Sequence, residues 1–141
     1  MKISIEQLNK KLATLPWTCD YNKKIEQEKP VMAEFYQGLE VGDGVTYHLY
    51  SDSHACTVIK RTAKTITIQE DTASLSPDFK PNFIVGGFVG HCTNQNEQTY
   101  SYKPNPKGQV ITARWSEKHG AFMYLGRKIT AGRKEFYDYN F

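Results

Sequence analysis

Between residues 45 and 69 the sequence changes character at almost every step. Val45, Tyr47 and Leu49 alternate with Thr46, His48 and Tyr50. Residues 57–62 are β-branched and apolar, and Thr65-Ile66-Thr67-Ile68-Gln69 alternates again. A period of two puts successive side chains on opposite faces of a strand and cannot give a helix one apolar stripe. Ser51-Asp52-Ser53 and Ala63-Lys64 are short polar breaks between these runs. Three short strands with tight turns form a meander, the opening of a small barrel or curved sheet.

The same pattern returns later. Strands are predicted at 98–103, with Tyr100 and Tyr102 on one face, at 109–116 and at 121–125. Asn105-Pro106-Lys107-Gly108 and His119-Gly120 supply the turns. The ending, residues 135–141, alternates as a terminal strand. Tyr137, Tyr139 and Phe141 would share one of its faces, closing the core or adding an edge to a second subunit.

The first forty residues read differently. Ser4 and Gln7 fit a capping box, and Ile5, Leu8, Leu12 and Leu15 follow at helical spacing until Pro16. This predicts a short amphipathic helix over 5–15. Residues 20–29 are mostly charged and polar. Pro30 is placed in the first turn of a second helix through Gln37, stopped by Gly38. Gly42-Asp43-Gly44 is a turn. The expected fold is mainly β (α+β): an antiparallel meander or small barrel-like core over 41–141, with a helical segment over 1–40, in one domain over 1–141.

At 141 residues the chain can bury a core without disulfides or metal. Its apolar runs are too short to span a bilayer. The polar start predicts no signal peptide and a cytosolic setting. The odd count of three cysteines, Cys19, Cys56 and Cys92, reads as buried free thiols. A formal charge of +3 is too even for a dedicated clamp on DNA, which favours a dense basic stripe. It leaves room for a small anionic ligand held by two or three arginines. Aromatics make up 13% of the chain, a surplus that serves either sheet packing or stacking on a ligand.

Residues 71–97 form a long connection, the kind that is over-represented among binding elements. Within it, Phe83-Ile84-Val85-Gly86-Gly87-Phe88-Val89-Gly90-His91-Cys92-Thr93-Asn94-Gln95 combines glycines, two phenylalanines and amide side chains. That mix suits a nucleotide-like ligand, with a base on a ring and its edge read by amides. It equally suits a glycine-rich bend with both phenylalanines in the core. No Gly-Lys-Ser/Thr ending exists for a P-loop. Cysteine spacing does not favour zinc, and adjacent His91 and Cys92 would point to opposite faces of a strand. A lone His-x-Thr at His91 lacks the second histidine element of two-histidine phosphoesterases. On the 109–116 strand, Arg114 falls on the face of Val110 and Thr112, where it can fork onto a phosphate or simply sit in solvent.

The segments Val41-Gly42-Asp43-Gly44-Val45-Thr46, Ser51-Asp52, Ala55-Cys56-Thr57-Val58-Ile59, Gly86-Gly87-Phe88-x-Gly90-His91-Cys92-x-Asn94-Gln95, Arg114-Trp115-Ser116 and Gly132-Arg133-Lys134-Glu135-Phe136-Tyr137-Asp138-Tyr139 together resemble the first class of phage Thoeris anti-defence proteins. These are signal sponges, and the resemblance covers roughly residues 40–141. It implies sequestration, without cleavage, of glycocyclic ADP-ribose, the alarm molecule of bacterial TIR-domain enzymes. It also implies oligomers built from dimers, often hexamers, in the cytoplasm of the infected bacterium. Some members hold cyclic trinucleotides at separate sites. Carried over by residue, Arg114 and Arg133 would hold phosphates, Asn94 would read the adenine or ribose edge, and Phe83 or Phe88 would stack on the base. Arg61 is a further candidate. Ser53 departs from the pattern, since a basic residue is expected after Ser51-Asp52. No cofactor or metal is implied.

The resulting expectation is a non-enzymatic sponge for a cyclic ADP-ribose-type signal. Arg114→Ala or Arg133→Ala should abolish capture with little change in melting. The rivals are an SH3-like nucleic-acid-binding module and a cyclic-nucleotide phosphodiesterase using His91.

Overall fold

The computed structural model of the chain describes residues 4–86 and 89–140. Two helices come first. Helix α1 spans Ile5–Ala13 and starts in the expected capping box: Ser4 Oγ accepts from the Gln7 amide, and the Gln7 side chain accepts from the Ser4 amide. Helix α2 spans Tyr21–Gln37, so it begins nine residues before the position that Pro30 had suggested. Pro30 lies inside it, exposed, where its missing N–H removes one helical bond. The extra turns are exposed and so carry no apolar period. They are started by Asp20, whose side chain accepts from the amides of Asn22 and Lys23.

The meander is present as β1 (Gly44–His48), β2 (Ser53–Arg61) and β3 (Thr65–Glu70). Strands β4 (Thr72–Leu75), β5 (Phe83–Gly86), β6 (Val89–Cys92) and β7 (Tyr100–Lys103) follow, then β8 (Val110–Ser116), β9 (Ala121–Tyr124), β10 (Arg127–Lys128) and β11 (Thr130–Ala131). The main sheet runs β10-β9-β8-β3-β2-β1-β11, antiparallel throughout. Its two ends meet in one short stretch of chain. Residues 127 and 128 pair with β9, residues 130 and 131 pair with β1, and Ile129 between them is buried with its amide on Phe122 O. The mainly β, nearly closed barrel expected from the meander is therefore what forms.

Inside it lie Val45, Tyr47, Cys56, Val58, Ile66, Ile68, Ile111, Ala113, Phe122 and Ile129, capped by Leu8 of α1 and by Phe35, Tyr36 and Leu39 at the end of α2. A β-bulge between Val58 and Lys60 shifts the alternation of β2. It turns Arg61 inward, over the Phe122 ring at 4.8 Å.

Residues 71–97 are more ordered than a connection. β4 pairs with β7, and β5 pairs with β6 as a hairpin with Phe83 opposite Cys92. The tail is less ordered than a strand: only Phe136 makes a bridge, to Ser53. Its amides at Tyr137, Asp138 and Tyr139 are taken by the side chains of Gln98, Asp52 and Gln95 rather than by a neighbouring strand. Cys56 and Cys92 are buried thiols, but Cys19 is exposed, because it falls in the link between the helices.

Candidate functional site

After β11 the chain turns at Gly132, whose φ of +85° is one that L side chains rarely adopt. It then crosses the outer faces of β1 and β2 as a strap, residues 132–136. The strap is pinned step by step. Thr46 Oγ1 donates to Gly132 O and accepts from the Lys134 amide. Ser53 Oγ donates to Lys134 O. Glu135 Oε1 accepts from the Ala55 amide, its Oε2 meets His54 Nδ1 at 2.9 Å, and its own amide donates to Tyr102 Oη. Phe136 exchanges two backbone bonds with Ser53.

Arg133 is the most constrained residue of the strap. Its Nε donates to Asp71 Oδ2 at 2.8 Å and its Nη2 to Thr57 Oγ1 at 2.9 Å. The Asp71 side chain is fully buried, and its other oxygen accepts from Thr57. The guanidinium lies over Gly44, where a Cβ would come within 2.7 Å of Arg133 Cγ and Nη1. Gly44 was expected only as part of a turn; it also makes room for this side chain. Among the described residues Nη1 has no hydrogen-bond partner.

Two clefts flank the strap. One, of about 480 Å³, is lined by Arg133, Gly44, Leu39, Phe35 and Tyr102. The other, of about 500 Å³, is lined by Lys134, Glu135, Tyr100, Tyr102 and Thr99. Tyr102 lines both, stacked on Tyr100 at 6.5 Å. Volumes in this range suit small-molecule sites.

The six residues proposed from sequence do not converge on one cleft. Arg133 lines the first. Arg114 is exposed on the outer face of β8, opposite Thr65 and Met123. The β8 residue in register with Thr57, through Gln69, is Val110, which puts Arg114 four residues, roughly 13 Å, further along the strand. Arg61 is spent on the end of α2: it donates to Leu39 O, Gln37 O and Gln37 Oε1, and also to Thr62 O. Asn94 is spent on the hairpin base, accepting from the Asn82 amide and Cys92 Sγ and donating to Lys80 O. Phe83 is half exposed and sits edge-on to Tyr139 at 6.2 Å, beside Phe79 and Tyr137. Phe88 and Phe141 lie outside the described residues.

Arg133 also departs from the expectation of a surface arginine whose loss spares stability, since its partner is a buried carboxylate. Asp71, Thr57, Tyr102 and Glu135 were not anticipated. Nothing local marks them: each gains its role from a partner distant in sequence.

The titratable groups here are shifted by their surroundings. The hydrogen bond that His54 donates to the Glu135 carboxylate raises the pKa of His54 above the usual imidazole value; burial opposes this, and the charges of Glu135, Glu70 and Asp52 add to it. Burial, with Lys134 and Arg127 nearby, lowers that of His48. Burial pushes the Cys56 thiol up to about 12, so this sulfur stays protonated and unreactive. Among the described residues no group of three or more His, Cys, Asp and Glu is placed to hold a metal ion. No helix among them is long and apolar enough to cross a membrane. The sequence matches no protein-family model, and no curated protein or solved structure matches it.

Proposed function

We propose that this protein captures a small cyclic nucleotide-type anion, of the glycocyclic ADP-ribose kind, and holds it without turning it over. In an infected bacterial cytoplasm such capture would keep an anti-phage alarm signal from its effector. The observation that carries this reading is Arg133 at the wall of the 480 Å³ cleft, fixed by Asp71 and Thr57 with Nη1 left over. A guanidinium already held in place loses little freedom on meeting a phosphate oxygen. Tyr102 and Phe35 on the same wall offer ring surface for a base.

Asp71 neutralises Arg133, so a ligand with two phosphates needs a further cation. One copy does not bring Arg114 to that cleft. A homo-oligomer in which a second copy presents its Arg114 would complete the site and exclude water from it.

A second reading, a nucleic-acid-binding module, draws on the barrel-like sheet and on the exposed cations Lys60, Arg114 and Lys128 of its outer face, none of which has an ion-pair partner among the described residues. It predicts duplex binding that weakens steeply with salt.

One experiment separates the readings. The protein is mixed with cyclic ADP-ribose isomers, freed of unbound ligand, heated, and the released material analysed by mass. Intact ligand supports capture. Opened ligand means an enzyme, and His91→Ala then tests the phosphodiesterase. No ligand rejects both, and salt-dependent duplex binding would establish the second reading.

A further inference from the structure

The strap that carries Arg133 is held over β1 and β2 by the Arg133–Asp71 pair, by neutral hydrogen bonds and by one contact set built on a histidine. His54 Nδ1 lies 2.9 Å from Glu135 Oε2 on the strap and 3.6 Å from Glu70 Oε1 at the end of β3. Tyr47 on β1 donates to Glu70 Oε2, and its ring tilts against the His54 ring at 5.3 Å. Asp52, in the turn before β2, adds a third negative charge, and Cys56 on the same strand is a protonated thiol. The neighbouring Arg133–Asp71 pair is already matched. The His54, Glu70 and Glu135 side chains are all less than a third exposed, so water screens them only in part.

We propose that His54 is a proton-operated latch for the 132–136 strap. With His54 protonated, one imidazolium lies between two carboxylates and holds Glu135, and through it the strap, against β2. With His54 neutral, Glu135 and Glu70 face the same ring nitrogen as uncompensated like charges, and the strap keeps its Arg133–Asp71 pair and its bonds to the neutral groups of Thr46, Ser53, Ala55 and Tyr102 but loses the ionic hold on Glu135. The raised pKa of His54 fixes the direction. A base favoured in its charged form by folding gives its full contribution below the ordinary imidazole value of about 6.5, and loses it as pH rises through the higher folded value. The latch is thus closed at mildly acidic pH and opens toward alkaline pH. Because the strap walls both clefts, opening changes both. This inference does not depend on what the clefts hold.

Backbone hydrogen exchange of the ligand-free protein tests it. The amides of Ala55, bonded to Glu135, and Phe136, bonded to Ser53, report the strap; that of Trp115, bonded to Lys64 O, reports the barrel. Relative to intrinsic rates, protection of Ala55 and Phe136 should be progressively lost between pH 6 and pH 9. That of Trp115 should stay constant. Glu135→Gln keeps an acceptor for the Ala55 amide but removes the charge, and should abolish the pH response; so should His54→Gln. Should His54→Gln fail to fold, Glu135→Gln and the wild-type profile still decide. Flat wild-type protection overturns the latch, as does an unchanged pH response in the variant that folds.

Discussion

Arg133 and Asp71 stand 62 residues apart in sequence and 2.8 Å apart in space, on the outer face of the barrel. The aspartate is fully buried and the arginine partly open to a cleft, so the pair is at once a piece of the fold and one wall of the candidate site. Removing either partner therefore tests stability and binding together.

Arg133→Ala strands a buried carboxylate with only the Thr57 hydroxyl to meet it. The expected cost is about 3 kcal/mol, read as a lower midpoint in denaturant. Arg133→Lys keeps the charge but not the fork. It should recover much of that stability while capture of the cyclic ligand stays weak.

Gly44→Ala places a methyl group 2.7 Å from Arg133 Cγ, a near part of a side chain that Asp71 and Thr57 hold still. The crowding should cost about 1–3 kcal/mol. Retained ligand per protein should fall as the guanidinium is displaced.

Arg61→Ala should lower stability by about 2 kcal/mol, since several charged hydrogen bonds at the end of α2 and the contact over Phe122 are lost together. Arg61 does not itself line the cleft but holds the carbonyl of Leu39, which does, so capture measured on the folded fraction should fall less than in Arg133→Ala. Arg114→Ala gives the opposite pattern. Its exposed side chain contributes little to folding, so stability should stay within about 0.5 kcal/mol, and any loss of ligand reports binding directly.

His48 works against His54. Its pKa is lowered, chiefly by burial and then by Lys134 and Arg127, and its Nε2 lies 2.8 Å from Thr130 Oγ1. The unfolded chain binds this proton more readily, so the neutral ring favours folding above about pH 6.5, and that advantage fades as pH falls through the lower folded value. His48→Gln should flatten the drop in melting temperature between pH 7 and pH 5. His54→Gln should instead remove stability at the acid end.

The barrel was legible because its strands carry a period of two with polar breaks between them, and α1 because its cap and leucines are local. Helix α2 was half hidden: its exposed first turns bury nothing, and Pro30 looked like a beginning. The hairpin at β5 and β6 read as a loop, since glycines that allow a bend also allow a tight pair of strands. The tail alternated like a strand, yet Gln98, Asp52 and Gln95 took its amides. In the site, Arg133 was named through the resemblance of residues 132–139 and not through any partner visible in the sequence, whereas Asn94 and Arg61 had amides and guanidinium nitrogens that the sequence left free and the fold engaged.

By itself, then, the sequence determined which residues must face inward and where the chain must turn, because burial of alternating apolar side chains is a local pattern. The tertiary structure decided which charges are used and which remain. Arg61 bends inward only because a bulge shifts β2, and Arg133 becomes rigid only because Asp71 is buried beside it. His54 meets two carboxylates only because the strap crosses back over β2. Each of these depends on a partner far along the chain, and a pairing between distant residues leaves no mark on the residues next to either one.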